Sequence, residues 1–296
     1  MIVLTKTPSP SSPRCTGKSA QSVLCSKQGL GLRVKLALGL DTDHVGTFSR
    51  DIDRTGTQLD AARAKIATAF DYAPYARVGL ASEGSFGPHP YMPFLALGRE
   101  LVLLVDRERG LELTGHFSGP ETNYGHAVVS DIEGAIAFAD RLKFPEHGLI
   151  VMGCVDEKPA PSLSLIKDVI DHAGLEKAVG HVVAKCGAAF VEGDMRAHRN
   201  PTRMRAIERA ANDPVRRFRS QCPACAHPGF DVTDRVPGLP CEGCGEPTHV
   251  ICSEAFTCQA CDYRQERRAT SPMTAEAGRC GMSSTLSPQE PHGGSS

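Results

Sequence analysis

CPACAHPGFDVTDRVPGLPCEGCGEPTHVICSEAFTCQAC, residues 222–261, carries three Cys-x-x-Cys pairs: Cys222/Cys225, Cys241/Cys244 and Cys258/Cys261. Two thiolates two residues apart can turn back on one cation, and a second such pair completes a tetrahedral site. The spacing between successive pairs is close to that of zinc ribbons. Small residues inside the pairs, as in Cys-Pro-Ala-Cys and Cys-Glu-Gly-Cys-Gly, let the backbone turn so that its amides face the sulfurs. The stretch therefore predicts a small β-rich module around a structural Zn²⁺. The segment from Cys241 to Cys261 reads as one ribbon with PTHVICSEAF as its hairpin. Cys222 and Cys225 then belong either to a different four-ligand set or to a second site, with Cys252 and His249 as spare ligands.

Working outward, the chain has 296 residues and 12 cysteines, half of them in these pairs. Close pairs in a chain this long point to metal ligation in a reducing cytoplasm, because disulfide frameworks belong to smaller secreted domains. Cys154 and Cys186 lie in apolar stretches and read as core thiols. Cys15, Cys25 and Cys280 lie in weakly patterned sequence. Lys plus Arg (33) nearly balances Asp plus Glu (34), so no global field favours nucleic acid or a membrane surface. Trp is absent and aromatics are only 5%, which disfavours base stacking on single strands. No apolar run approaches the roughly 20 residues that span a bilayer, and the opening MIVLTKTPSPSSPR lacks the order of a secretory signal.

Four regions emerge: a poorly ordered N-terminus (1–30), an α/β domain (31–219), a zinc-ribbon-like module (220–267) and a disordered tail (268–296). Strands are expected near Ile2–Leu4, Arg33–Leu40, Val78–Ala81, Glu100–Asp106, Leu111–Phe117, Leu149–Met152 and Ala188–Val191. Thr57 caps a helix to about Phe70, with Leu59, Ala62, Ile66 and Ala69 on one face. Asp131 begins another helix. The patterns of Ser162–His172 and Leu175–Cys186 read as helical, and Asn200-Pro201 opens a further helix. Alternating elements predict an α/β fold with a mixed sheet flanked by helices.

Three motifs carry candidate chemistry. In DTDHVGTF, Asp41 and Asp43 fall on one side of an extended segment and suit Mg²⁺, which takes one or two carboxylates besides water and phosphate oxygens; solvated Asp turns are the plainer reading. In SEGSFGPHP, residues 82–90, two Gly and two Pro point to a fixed irregular turn, with Glu83 and His89 as acid, base or ligand. In DMRAHRNPTRM, Arg196, Arg199 and Arg203 gather at a helix start where free amides favour an anion, with Asp194 and His198 adding acid/base capacity. Arg216, Arg217 and Arg219 continue that helix and read more plainly as a solvated cationic face.

The strings DTDHVGTF, ASEGSFGPHP, FPEHGLIV, DMRAHRNPTRM and the CPAC…PGLPCEGCG…CQAC ending resemble an uncharacterised bacterial family, a domain of unknown function, over about residues 38–265. The order of a Gly-Thr loop, an Arg, a helix with Ala-x-x-Lys-Ile and a strand ending in an acidic Gly-rich turn is also similar to inosine/xanthosine triphosphatase-type pyrophosphatases. That similarity implies that Glu83, Arg54, Lys65 and Asp106 correspond, by order, to magnesium- and phosphate-holding residues. The family's usual His-Gly-Lys-Glu-like turn is replaced by TPSPSSPRC after Lys6, and Ser49-Arg50-Asp51 stand where Thr-Gly-Glu is usual.

Three functions are compatible with these residues. The first is a magnesium-dependent hydrolase of a phosphate-bearing small molecule or nucleotide. Asp41, Asp43 and Glu83 would hold metal, Arg54, Arg196 and Arg203 would hold phosphate, and His89 or His198 would move a proton. The second is a ribbon that binds nucleic acid or protein. The third is a non-catalytic member whose site has decayed.

Overall fold

The structure is a computed structural model that describes residues 2–5, 33–36, 56–268 and 272–280. The chain divides into two compact units, Met1–Arg216 and Arg217–Ser296.

The first unit holds two antiparallel sheets. Strands β1 (Ile2–Thr5), β2 (Arg33–Leu36), β3 (Val78–Pro88), β4 (Ala96–Asp106) and β5 (Leu111–Gly119) form one sheet in the order β2-β1-β3-β4-β5. Strand β1 thus lies inside the N-terminal stretch whose composition suggests poor order. Helix α1 (Gln58–Tyr72) starts where Thr57 and Asp60 close a reciprocal capping box. It buries Ala62 and Ile66 with Ala81, Leu101 and Leu103 of the sheet. Side chains alternate across a strand, so Gly79, Ala81 and Glu83 face α1, and Leu80, Ser82 and Gly84 face away.

Strands β6 (His126–Val129), β7 (Leu149–Val155), β8 (Lys158–Val169) and β9 (Ala189–Gly193) form the second sheet in the order β6-β9-β7-β8. Helix α2 (Ile132–Arg141) is capped by Asp131, whose Oδ1 accepts from the Gly134 amide at 2.8 Å. Helix α3 (His172–Cys186) is capped by Asp171 and ends at left-handed Gly187 (φ 79°). Both helices contribute to the largest apolar cluster among the described residues, which includes Phe138, Leu149, Leu175, Val179 and Val191. Cys154 is buried beside Ile150, Met152 and Phe190, and Cys186 is half-buried against the large cluster.

The long helix α4 (Pro201–Arg219) begins at Asn200, whose Oδ1 accepts from the Arg203 amide at 2.9 Å. Its Pro214 cannot donate to the Ala210 carbonyl. A Cβ on Gly115 of β5 would stand 2.1 Å from that carbonyl oxygen and 2.3 Å from Pro214 Cδ. Only glycine allows helix and sheet to approach this closely. Gly115 pairs with Val102, so α4 covers the face of the first sheet opposite α1.

The α/β class and the flanking helices are as the sequence indicates. Every ladder among the described strands is antiparallel, and the strands divide into separate sheets where alternation points to one mixed sheet. Two local readings change. Residues 162–169 belong to strand β8, and only the stretch from His172 is helical. Strand β8 is at the sheet edge, where Pro159 and Pro161 need no ladder partner on their outer side and where half-exposed residues blur the apolar period. SEGSFGP also continues β3, and the chain reverses only at His89–Leu95. Gly84 is there for packing: a Cβ would meet the Glu100 carboxylate at 2.6 Å and the Phe86 ring at 2.9 Å.

The second unit is a three-stranded antiparallel sheet, β10 (Asp231–Pro237), β11 (Ile251–Thr257) and β12 (Arg264–Arg268), in that order. Residues 272–280 return to it: the Ala275 amide donates to the Pro240 carbonyl at 2.8 Å, and the Glu242 amide donates to Ala275 at 2.9 Å. The expected disordered tail therefore begins too early, since this segment is paired and buries Cys280. Among the described residues, no helix is long and apolar enough to cross a membrane.

Candidate metal centre

In the second unit the loop Cys222–His227 closes with the Cys222 amide on the His227 carbonyl (2.9 Å) and the Ala226 amide on the Cys222 carbonyl (2.8 Å). The loop Cys258–Tyr263 repeats this: Cys258 donates to Tyr263 at 2.9 Å, and Asp262 donates to Cys258 at 3.2 Å. Each loop needs one left-handed residue to turn so tightly, Ala226 at φ 59° and Asp262 at φ 55°. Inside the loops, the Ala224 and Ala260 amides each lie 3.4 Å from the first sulfur, Cys222 or Cys258.

The two loops face one another. Sulfurs of Cys222, Cys225, Cys258 and Cys261 all lie within 4.8 Å of each other. Cys222 and Cys261 sulfurs are 3.8 Å apart, and those of Cys225 and Cys258 are 3.6 Å apart. Zn–S bonds of about 2.3 Å in a tetrahedron place sulfurs roughly 3.8 Å apart, so the four thiols fit a zinc ion. Burial pushes the Cys258 thiol up, but the Ala260 and Cys261 amides and the Cys225 and Cys261 sulfurs outweigh it and leave it at about 6. A thiolate is the ligating form. Cys222 and Cys258 pack on Phe230, whose ring lies 5.7 Å from Phe256 and 5.9 Å from Tyr263.

This corrects the pairing read from spacing, which joins Cys241/Cys244 to Cys258/Cys261. Residues 251–257 are one strand rather than a hairpin. Asp231 pairs with Thr257 and Pro237 with Ile251. The loops before β10 and after β11 therefore meet at one end, while Cys241 and Cys244 sit in the connection at the other, on the order of 20 Å away along the strands. There they meet Cys280, with all three sulfurs within 4.8 Å. Sequence reasoning misses Cys280 because a single cysteine carries no knuckle spacing. Cys252 lies against the Pro237 carbonyl and the Ser253 hydroxyl, outside both clusters.

Among the described residues of the first unit, the candidates fall into separate settings rather than one site. Glu83 is buried on the α1 face, ion-paired with Lys65, and its carbonyl accepts from Gln58 Nε2 at 3.0 Å. His89 shapes its own turn, with Nδ1 accepting from the Tyr91 and Met92 amides at 3.2 Å. On the opposite, α4 face, Arg203 is buried, donating from Nε to Glu100 at 2.7 Å and from Nη1 to the Met195 carbonyl at 2.5 Å. A guanidinium enclosed this way is closed to a phosphate. Arg196 bridges buried Asp194 (2.6 Å) and Asp168 (2.9 Å), and Arg199 also reaches Asp168 at 2.7 Å. Desolvation pushes the Asp168 carboxyl up, but Arg199 and Arg196 outweigh it and hold it below the ordinary value. Partial desolvation and the Arg196 and Arg199 charges hold His198 below the ordinary imidazole value. Asp194, Arg196 and His198 thus share one ion-paired cluster with Asp168.

Asp106, placed by order beside metal-holding residues, is buried in its hairpin turn. It pairs with Arg109 at 2.6 Å and accepts from the Glu108 and Arg109 amides. Asp41, Asp43 and Arg54 lie outside the described residues. Glu100, Asn200 and His147 are buried polar positions that spacing does not single out. Asn200 Nδ2 donates to Asn123 Oδ1 at 2.7 Å, and His147 lies 2.9 Å from the Thr202 hydroxyl through Nε2.

No curated protein and no solved structure matches the sequence. A family model does match, over residues 65–277, from Lys65 in α1 through the metal centre to the returning segment. It spans most of both units, and on that extent the chain belongs to the family described as a domain of unknown function, DUF6671.

Proposed function

We propose that this chain is a structural-zinc protein in which Cys222, Cys225, Cys258 and Cys261 hold one Zn²⁺ and fix the second unit. The observation that carries it is the convergence of four thiols at tetrahedral spacing from two loops of the same design. Four protein thiolates fill the coordination shell, so the ion acts on folding rather than on a substrate. A small sheet with one aromatic cluster gains much of its stability that way. Zinc content with and without Cys225→Ser, together with hydrogen exchange after chelation, tests this. The expected result is loss of the one ion these four cysteines hold in Cys225→Ser and, after chelation, loss of amide protection over 231–268, with strands β3–β5 still protected. Full protection in metal-free protein would contradict it.

A second reading keeps a phosphate-bearing small molecule as substrate, now at the α1 face alone. Its favouring observation is the Lys65–Glu83 pair, which joins two residues that the pyrophosphatase-like order aligns. In this reading Glu83, with Asp41 and Asp43, would hold Mg²⁺, and Arg54 would hold phosphate. Magnesium would polarise the phosphoryl group. Lys65 fixes the Glu83 carboxylate within the sheet. With magnesium supplied, hydrolysis of nucleotides or phosphoesters that disappears in Glu83→Gln is the expected outcome. No turnover across such a screen would remove this reading. A nucleic-acid partner draws less support, because Arg216 pairs with Asp213 at 2.8 Å and Arg217 with Asp231 at 3.0 Å.

A further inference from the structure

The loop Cys241–Glu246 has the same construction as the two that form the four-cysteine centre. Its first amide, Cys241, donates to the Glu246 carbonyl at 2.8 Å, and Gly245 donates back to the Cys241 carbonyl at 2.9 Å. The residue after the second cysteine is again left-handed, Gly245 at φ 76°. A backbone that appears three times, and twice presents thiols to a common point, is a ligand-holding turn at the third place too. The point it faces is occupied by a thiol: Cys280 Sγ lies 3.5 Å from Cys244 Sγ, and all three sulfurs lie within 4.8 Å of each other.

The approach of Cys280 is built. Strand β12 runs antiparallel to β11, pairing Arg268 with Ser253, which carries the chain back toward the Cys241 loop. Ala275 then bonds on both sides of Cys241, to Pro240 and Glu242. Glu242 Oε1 accepts the Ala277 amide at 3.1 Å, holding the short helical turn Ala277–Arg279. Cys280 follows directly and is buried, as is Cys241.

We propose that Cys241, Cys244 and Cys280 form a second zinc site, independent of the first, that clamps the returning segment 272–280 to the module. Thiolates at this spacing select soft or borderline cations over magnesium or calcium. The site draws on one knuckle and a single distant cysteine, so its ion is the more readily removed of the two. This proposal uses none of the four cysteines of the first centre, and either can fail alone.

The test is zinc stoichiometry of the full chain, reduced and reloaded with zinc alone. Wild type is expected to hold two ions per chain, and Cys280→Ser one. Cys225→Ser, at an exposed position of the first centre, is expected to lose its own ion and retain the one that Cys280→Ser lacks. Cobalt loaded in place of zinc should give thiolate-to-metal absorption in both variants, at reduced intensity in each. A zinc count that Cys280→Ser leaves unchanged from wild type, or a Cys244–Cys280 disulfide in protein kept under reductant, would overturn the proposal.

Discussion

His147 is a buried imidazole whose Nε2 accepts from the Thr202 amide at 3.3 Å, while its Nδ1 has no hydrogen-bond partner among the described residues. Burial outweighs the pull of nearby Glu146 and holds its pKa below 6.5. The sign follows from linkage. Above 6.5 both folded and unfolded chains carry a neutral ring, and its contribution is fully present. Below 6.5 the unfolded chain takes a proton that the folded one resists, so stability falls as pH drops toward the folded value. Urea midpoints measured from pH 7.5 down to about 5.5 should decline more steeply for wild type than for His147→Gln. Equal slopes would show that this ring is not the source. At the same scale, charged side chains that look free in the sequence are engaged by partners remote in the chain. Arg203 with Glu100 is the clearest case, and breaking such a buried pair costs about 3–5 kcal/mol.

Helix and strand make their closest approach where α4 crosses β5. Gly115→Ala would press a methyl onto the Ala210 carbonyl and the Pro214 ring, neither of which can swing aside. A loss of roughly 1–3 kcal/mol is expected by chemical denaturation. Gly180→Ala, on the exposed middle of α3 with open space around it, should instead stabilise by about 0.5–1 kcal/mol. Equal effects at the two sites would refute the packing argument. Elements with local signals are legible in the sequence itself. Thr57, Asp131 and Asn200 cap helices because a side-chain oxygen reaches an amide three residues on, and sequence displays that relation directly. Strand β8 escapes such a reading because an edge strand buries neither face fully, so its apolar period is weak. SEGSFGPHP escapes it because its glycines answer to Glu100 and Phe86, which packing alone brings near.

Over the whole molecule, the two units differ in how much of their organisation sequence conveys. The three Cys-x-x-Cys turns are local, and all three form as their spacing implies. Which turns share an ion depends on strand register. Residues 251–257 pair on both sides, so the first and last turns meet at one end of the sheet and the middle one stays at the other. The candidate residues of the first unit are likewise divided by its sheet, Glu83 on the α1 face and Arg203 on the α4 face. No spacing rule reveals that division, because neighbours on a strand alternate faces while helices from distant sequence cover each one.

The pairing of cysteines is the central structural claim, and cadmium NMR reads it through the metal–sulfur bonds. In protein reloaded with cadmium, cysteine β-protons correlate only with the ion their own sulfur binds. The expected spectrum has one cadmium correlated with Cys222, Cys225, Cys258 and Cys261 and with no other cysteine. Correlation of Cys241 or Cys244 to the same cadmium as Cys258 or Cys261 would contradict the account.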